Sequence, residues 1–298
     1  MNTDDLSSSA ATAAAATPPP RTMIWWTSGI DSVTDAGLAA GGVKRVLGDR
    51  VSVPFMSMFF DDSEIALDCG SYRHFKAQKK RKHPAPLTEQ DARQYAALFP
   101  ERKFAFRIAM DVIGDAATTL QYWNNIFMYQ PHTFVPVYQW GAPRADLEQY
   151  LDQAVYIHAV GTRLVCIGGL APILRGGHRE KDKQKKAEKE LKRERTLEQL
   201  IHICERHPGR FHILGLNHLD AINKVRHLVA SADASKWLDG RRYGYVFFID
   251  SRNGRLRYAP SNQLSDSSLK PLSELNTNQR LTHNARMIAQ YAENERQH

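Results

Sequence analysis

Leu67-Asp68-Cys69-Gly70-Ser71-Tyr72, Ile167-Gly168-Gly169-Leu170 and His212-Ile213-Leu214-Gly215-Leu216 carry the signature of the fold. Each ends an apolar, β-prone run at a small or polar residue, and stretches with helical spacing separate them. That rhythm predicts a parallel sheet closed into a TIM-type (β/α)8 barrel, whose strand C-termini collect chemistry in one mouth. Asp68 ends the first segment, and Asp233 follows the third in Ala232-Asp233-Ala234-Ser235. Two carboxylates opening onto one pocket is the arrangement that breaks and remakes a glycosidic bond.

On either side of these segments, the predicted strands are Thr22 to Thr27, Val51 to Met58, Ile65 to Asp68, Phe104 to Met110, Thr133 to Gln139, Arg163 to Ile167, Arg210 to Leu214 and Ser231 to Asp233. Helices are expected from Thr88 to Phe99, Ala116 to Phe127, Leu147 to Val160 and His218 to Leu228. Residues 1–21, rich in Ser, Ala and Thr and ending in three prolines, read as a disordered tail, with the barrel domain spanning 22–298. Between the sixth and seventh strands, residues 175–195 carry ten lysines and arginines against five acids. This charged insertion is expected to be the solvated start of one long helix. Residues 241–298 are expected to form a C-terminal hairpin around Asn253-Gly254 and a last helix from Leu281 to Glu295.

The chain has 298 residues, enough for one barrel with extensions. Its formal net charge of +8 favours polyanionic partners, nucleic acid above all. The three cysteines, Cys69, Cys166 and Cys204, lack metal-ligand spacing and fit a reduced, cytoplasmic protein. No apolar run reaches the length of a membrane span. Kinase, nucleotide-hydrolase and lipase chemistry lose their support, because no G-x-x-x-x-G-K-[ST] loop and no G-x-S-x-G elbow occurs.

Several residues could carry chemistry. Asp68 beside Cys69-Gly70 suits an acid or base, or a helix cap. Asp111 ends a strand and could accept from a purine-like base or form a loop turn. Gln139 could join that recognition or lie on the surface. Gly168 and Gly169 offer bare backbone N–H groups to a flat ligand. Asp233 lies among small neighbours that leave room for a sugar, or it caps a helix.

Taken in order, these segments resemble the tRNA-guanine transglycosylase superfamily, and more closely its DNA-acting deoxypurine-in-DNA (DpdA) branch. The likeness rests on Asp68 to Tyr72, Ala109 to Asp115, Val135 to Trp140, Ile167 to Leu170, His212 to Leu216, Asp233 to Trp237 and Leu281 to Asn284. It spans roughly residues 50–290. The resemblance implies Asp233 as the nucleophile on the sugar and Asp68 as general acid/base. Asp111, Gln139, Gly168, Gly169 and Ser71 would hold the heterocycle. Guanine in DNA would be exchanged for a 7-deazaguanine such as the 7-cyano derivative, with tRNA as the alternative substrate and a partner ATPase as an optional accessory. A catalytically silent nucleic-acid-binding barrel is the non-enzymatic alternative. Lys76, Lys79, Lys80, Arg81, Lys82, Lys185 and Lys186 would contact phosphates.

The chain departs from the superfamily in two places. The zinc-binding C-x-C-x-x-C is replaced by the Asn253-Gly254 hairpin, so no zinc site and no cofactor is expected. Cys69 stands where a serine is more usual, putting a thiol beside the acid.

Overall fold

The structure is a computed structural model that describes residues 23–80, 85–130, 133–174, 182–264 and 267–294. The predicted tail, Arg81 and Lys82 lie outside the described residues. The strands in chain order are β1 (Ile24–Thr27), β2 (Val46–Gly48), β3 (Ile65–Leu67), β4 (Phe106–Ile108), β5 (Phe134–Val135), β6 (Val137–Gln139), β7 (Tyr156–Ile157), β8 (Thr162–Arg163), β9 (Val165–Gly168), β10 (Phe211–Ile213), β11 (Ser231–Ala234), β12 (Tyr245–Asp250) and β13 (Arg255–Pro260). Nine of them form one parallel sheet in the order β5-β4-β3-β2-β1-β11-β10-β9-β6. Its two edge strands, β5 and β6, are consecutive in the chain, separated only by Pro136, so the sheet bends round until its ends nearly meet. Proline has no N–H to give a ladder, which is why the strand breaks there.

Alternation along the strands sorts side chains into two cores. Trp26, Leu47, Ala66, Phe106, Ile108, Val135, Val137 and Cys166 point inward and fill the space the sheet encloses. Trp26 and Phe106 meet edge to face there, with centroids 5.1 Å apart. The alternate residues, among them Trp25, Ile65, Leu67, Ile167 and Ala232, face outward against the helices. The helices start where polar caps allow. Ser32, Asp115, Asp182 and His218 each accept a first-turn backbone N–H, and Thr88 and Asn276 form capping boxes.

Four expected elements are corrected. The second strand is not Val51 to Met58 but Val46–Gly48, and Val53–Met56 is a short helix. Asp49 decides this: its Oδ1 accepts from the N–H groups of Val51 and Ser52, folding the chain into a turn with Pro54 in its first helical turn. The helix expected to reach Val160 ends at Gln153, and β7 and β8 form a small antiparallel hairpin beyond it. The helix beginning at Ala116 gives way at Trp123 to a π-helical turn through Phe127. Arg163, expected in the sixth strand, belongs to that hairpin, and β9 starts at Val165.

The charged segment is described from Asp182 onward. It enters one helix, Lys183–Arg206, whose first buried residues are Thr196 and Leu197. About 20 Å of helix therefore stands clear before packing begins. β12 and β13 pair from Asp250 and Arg255 across a four-residue loop, 251–254, which Gly254 closes in the left-handed conformation (φ 63°). The last helix runs Thr277–Glu293 and packs on β1, β12 and the Val33–Ala40 helix. Buried Asn284 ties it to the hairpin, accepting from Phe247 N–H at 3.0 Å and donating to Tyr245 O at 2.9 Å. Among the described residues, no helix is long and apolar enough to cross a membrane.

Candidate active site

The inward-pointing register carries to the C-terminal ends of the strands and just beyond them. Two residues beyond Leu47, Ala66, Cys166 and Ser231 come Asp49, Asp68, Gly168 and Asp233, and all four line one cavity of about 280 Å³. Asp111, Gly169, Gly215, Tyr72, Arg73, Lys76 and Arg242 complete much of its wall. The cavity thus sits at the C-terminal mouth of the sheet, where crevices for ligands form in parallel α/β folds. Asp68 and Asp233, 165 positions apart in the chain, open onto the same space.

Asp68 stands in an enclosed, acidic place. Desolvation first, and then the neighbouring carboxylates of Asp111, Asp233 and Asp49, push its pKa up to about 7. It is therefore close to half protonated at neutral pH, the condition under which one carboxyl group can both give and take a proton. Tyr95 ties β3, the strand that ends at Asp68, to its neighbour β4, its hydroxyl lying 2.8 Å from Ile108 O and 3.2 Å from Leu67 O.

Asp111 is buried, and burial raises its pKa against the opposing hydrogen bonds from Cys69, Ser71 and Gln139. Gln139 Nε2 donates to its Oδ2 in a short hydrogen bond. Ser71 Oγ donates to its backbone oxygen at 2.6 Å. These contacts make Asp111 part of a buried network and not a free loop turn. Cys69 Sγ lies 3.4 Å from Asp111 Oδ1, 3.6 Å from Asp68 Oδ1 and 3.1 Å from Ser71 Oγ. Burial and the two carboxylates hold its pKa well above the usual thiol range, so it serves as a neutral thiol between two acids. Gly168 must be small: a Cβ there would come within 3.0 Å of Val137 Cγ1 and 3.2 Å of Gln139 Nε2.

Asp233 is held by the backbone. The N–H of Gly215 donates to its Oδ1 at 2.9 Å, and its own carbonyl accepts from Leu216 N–H at 2.7 Å. Gly215 makes that loop possible by adopting φ 65°. Beneath Asp233, fully buried His212 has Nδ1 2.8 Å from Ser231 Oγ and Nε2 3.5 Å from Asp233 Oδ1. The Nε2 approach is close but makes no hydrogen bond of normal geometry.

The basic residues divide. Lys76 lines the cavity beside Tyr72, its Nζ 4.6 Å from the ring centroid. Lys79 and Lys80 continue the same helix, Ser71–Lys80. Lys185 and Lys186 are exposed on the protruding helix. With Lys189 and Lys192, Lys185 continues the face that Thr196 and Leu200 bury lower down, at helical spacing.

Three features of the site are not legible in the sequence. Asp49 is hidden because the apolar residues just after it have strand-like composition, although Leu47-Gly48-Asp49 repeats the spacing of Ala66-Leu67-Asp68. Arg73, one more cation of a basic run by sequence, bridges two carboxylates instead: Asp49 Oδ2 at 2.6 Å and Asp31 Oδ1 at 2.8 Å. Nothing in the sequence pairs His212 with Asp233. Among the described residues, no group of three or more His, Cys, Asp or Glu is placed to hold a metal ion. No protein-family model matches the chain, and no curated protein matches it.

Proposed function

We propose that this protein is a base-exchange transglycosylase of the tRNA-guanine transglycosylase-like, deoxypurine-in-DNA (DpdA) type, replacing guanine in DNA with a 7-deazaguanine such as 7-cyano-7-deazaguanine. The observation that carries the reading is the convergence of Asp68 and Asp233 on one cavity. Counting β5 and β6 as one strand bent at Pro136 gives eight strands, which supports a (β/α)8 barrel.

In the proposed reaction, an ionised Asp233 oxygen attacks the anomeric carbon of a flipped-out deoxyguanosine. The bond from that carbon to the base nitrogen breaks, and the departing guanine takes its proton from Asp68. The incoming 7-deazaguanine then surrenders its ring N–H proton to Asp68 and displaces the Asp233 carboxylate. Protons balance over the cycle, and two inversions retain configuration. Asp68 titrating near 7 suits this two-way proton traffic. Asp111, held by Gln139 and Ser71 beside the narrow floor at Gly168 and Gly169, would receive the polar edge of the heterocycle. The exposed cations of the Lys183–Arg206 helix start on the mouth side of the sheet and suit a nucleic-acid backbone.

Incubation with duplex DNA and labelled guanine tests this. Label should enter the DNA with the wild-type protein and not with Asp233→Ala. Equal incorporation by both rejects Asp233 as nucleophile. Incorporation into tRNA alone moves the substrate to RNA, and DNA binding with no exchange on either leaves a silent binding barrel.

A further inference from the structure

The inward face of β10 and β11 places a second polar pair directly below the proposed nucleophile. His212 and Ser231 are both fully buried, in an interior otherwise lined by Trp26, Phe106 and Cys166. Such a pair costs free energy among apolar neighbours unless its hydrogen bonds are used. Phe106 packs edge-on to the imidazole with centroids 5.6 Å apart, fixing the ring plane.

The tautomer follows from the neighbours. If His212 carried its proton on Nδ1, the Nε2 lone pair would face a carboxylate oxygen at 3.5 Å. If Ser231 donates to Nδ1 across 2.8 Å, Nε2 carries the proton and turns an N–H towards Asp233 Oδ1. The second arrangement replaces repulsion with attraction. Gly215 N–H approaches the same Oδ1. Among the described residues, Oδ2 accepts no hydrogen bond.

We propose that His212 is a positioning residue for Asp233: oriented by Ser231, it holds Oδ1 from below and leaves Oδ2 as the oxygen presented to the cavity. This rests on the transglycosylase reading for its catalytic consequence, but the Ser231–His212–Asp233 coupling is a property of the fold itself. An N–H on the non-attacking oxygen favours the ionised carboxylate before attack. It favours the same carboxylate again when the incoming base expels it.

The test uses His212→Phe, which keeps a ring and removes the donor, His212→Gln, whose amide N–H can replace it, and Ser231→Ala. Base exchange, its pH profile and a carboxylate NMR titration of Asp233 are measured on each. Loss of the donor should lower kcat by about twofold to tenfold, the range for a modest hydrogen bond, because the 3.5 Å approach is longer than a well-formed one. KM for DNA should stay near the wild-type value, and His212→Gln should recover much of the rate. The acid limb of the profile and the Asp233 titration should both move to higher pH in His212→Phe and Ser231→Ala. The other charged groups around the cavity, Asp31, Asp49, Asp68, Asp111, Arg73, Lys76 and Arg242, and the Cys166 thiol on β9, are common to all variants.

Wild-type rates with an unmoved acid limb in both donor-loss variants overturn the proposal. If the wild type exchanges no base, the transglycosylase reading fails, and the Asp233 titration alone decides whether His212 is coupled to it. If His212→Phe does not fold, an unmoved Asp233 titration in Ser231→Ala overturns the proposal.

Discussion

Replacing Asp68 with asparagine should make the protein more stable above neutral pH while destroying its proposed chemistry. The carboxyl group is pushed up from an ordinary 3.8 to about 7 by desolvation and by Asp111, Asp233 and Asp49. A raised carboxyl pKa means the native state binds this proton more tightly than the unfolded chain does. The resulting stability is complete below pH 4 and is lost as pH rises through 7. Integrating the linkage relation from pH 5 to pH 8 gives a loss of at most about 3 kcal/mol from this one group. Asp68 is partly open to the cavity, and water there reduces the figure to roughly 1–3 kcal/mol. Asp68→Asn keeps the shape and does not titrate. Its denaturant-unfolding free energy should therefore gain on the wild type by that amount between pH 5 and pH 8. Asp111, also raised by burial, titrates in both proteins, and because it interacts with Asp68 the difference reports the proton shared among these crowded carboxylates. A stability difference that stays constant from pH 5 to pH 8 would refute the argument that crowded carboxylates hold a proton on Asp68.

Three further outcomes can be checked. Asn284→Ala leaves the Phe247 N–H and the Tyr245 carbonyl without their buried partner, so unfolding stability should fall by about 2–4 kcal/mol, measured by denaturant titration. Gly168→Ala puts a methyl group 3.4 Å from Asp111 Oδ2 and closer still to Gln139, so KM for the incoming base should rise at least several-fold with DNA affinity unchanged. Replacing Lys185, Lys189 and Lys192 together with glutamine should weaken binding uniformly across DNA sequences and reduce the salt slope by roughly 0.9 for each phosphate no longer neutralised, read from binding at several salt concentrations.

The sequence made the parallel α/β architecture legible, because seven of the eight predicted strands are apolar runs that break at a polar or small residue near their observed ends. The remaining one, Val51 to Met58, failed for a local reason. Val51, Val53, Phe55 and Met56 have strand-like composition, but Asp49 and Pro54 turn the backbone before a ladder can form. Composition over a window does not register one side chain capping the N–H groups two and three residues on. The helix expected to run to Val160 failed similarly, since β7 and β8 find each other across a turn whose partner lies further along the chain.

Asp68, Asp111, Gln139, Gly168, Gly169 and Asp233 could be nominated in the sequence, each with a commonplace alternative beside it. A strand end is written in a few consecutive residues, so the candidates themselves were readable. The barrel reading led to the expectation that Asp68 and Asp233 share a mouth, but which candidates line it, with Gln139 set behind Asp111, depends on the closing curve of the sheet, which sums twist and register over every strand. The partners that set each acid's chemistry were equally hidden: Arg73 on Asp49, Gln139 on Asp111, His212 below Asp233. Local pattern settles which residues end strands and what they carry. Which of them share a pocket is settled only in the folded chain, because charge, desolvation and hydrogen bonding act through space between positions that the chain keeps far apart.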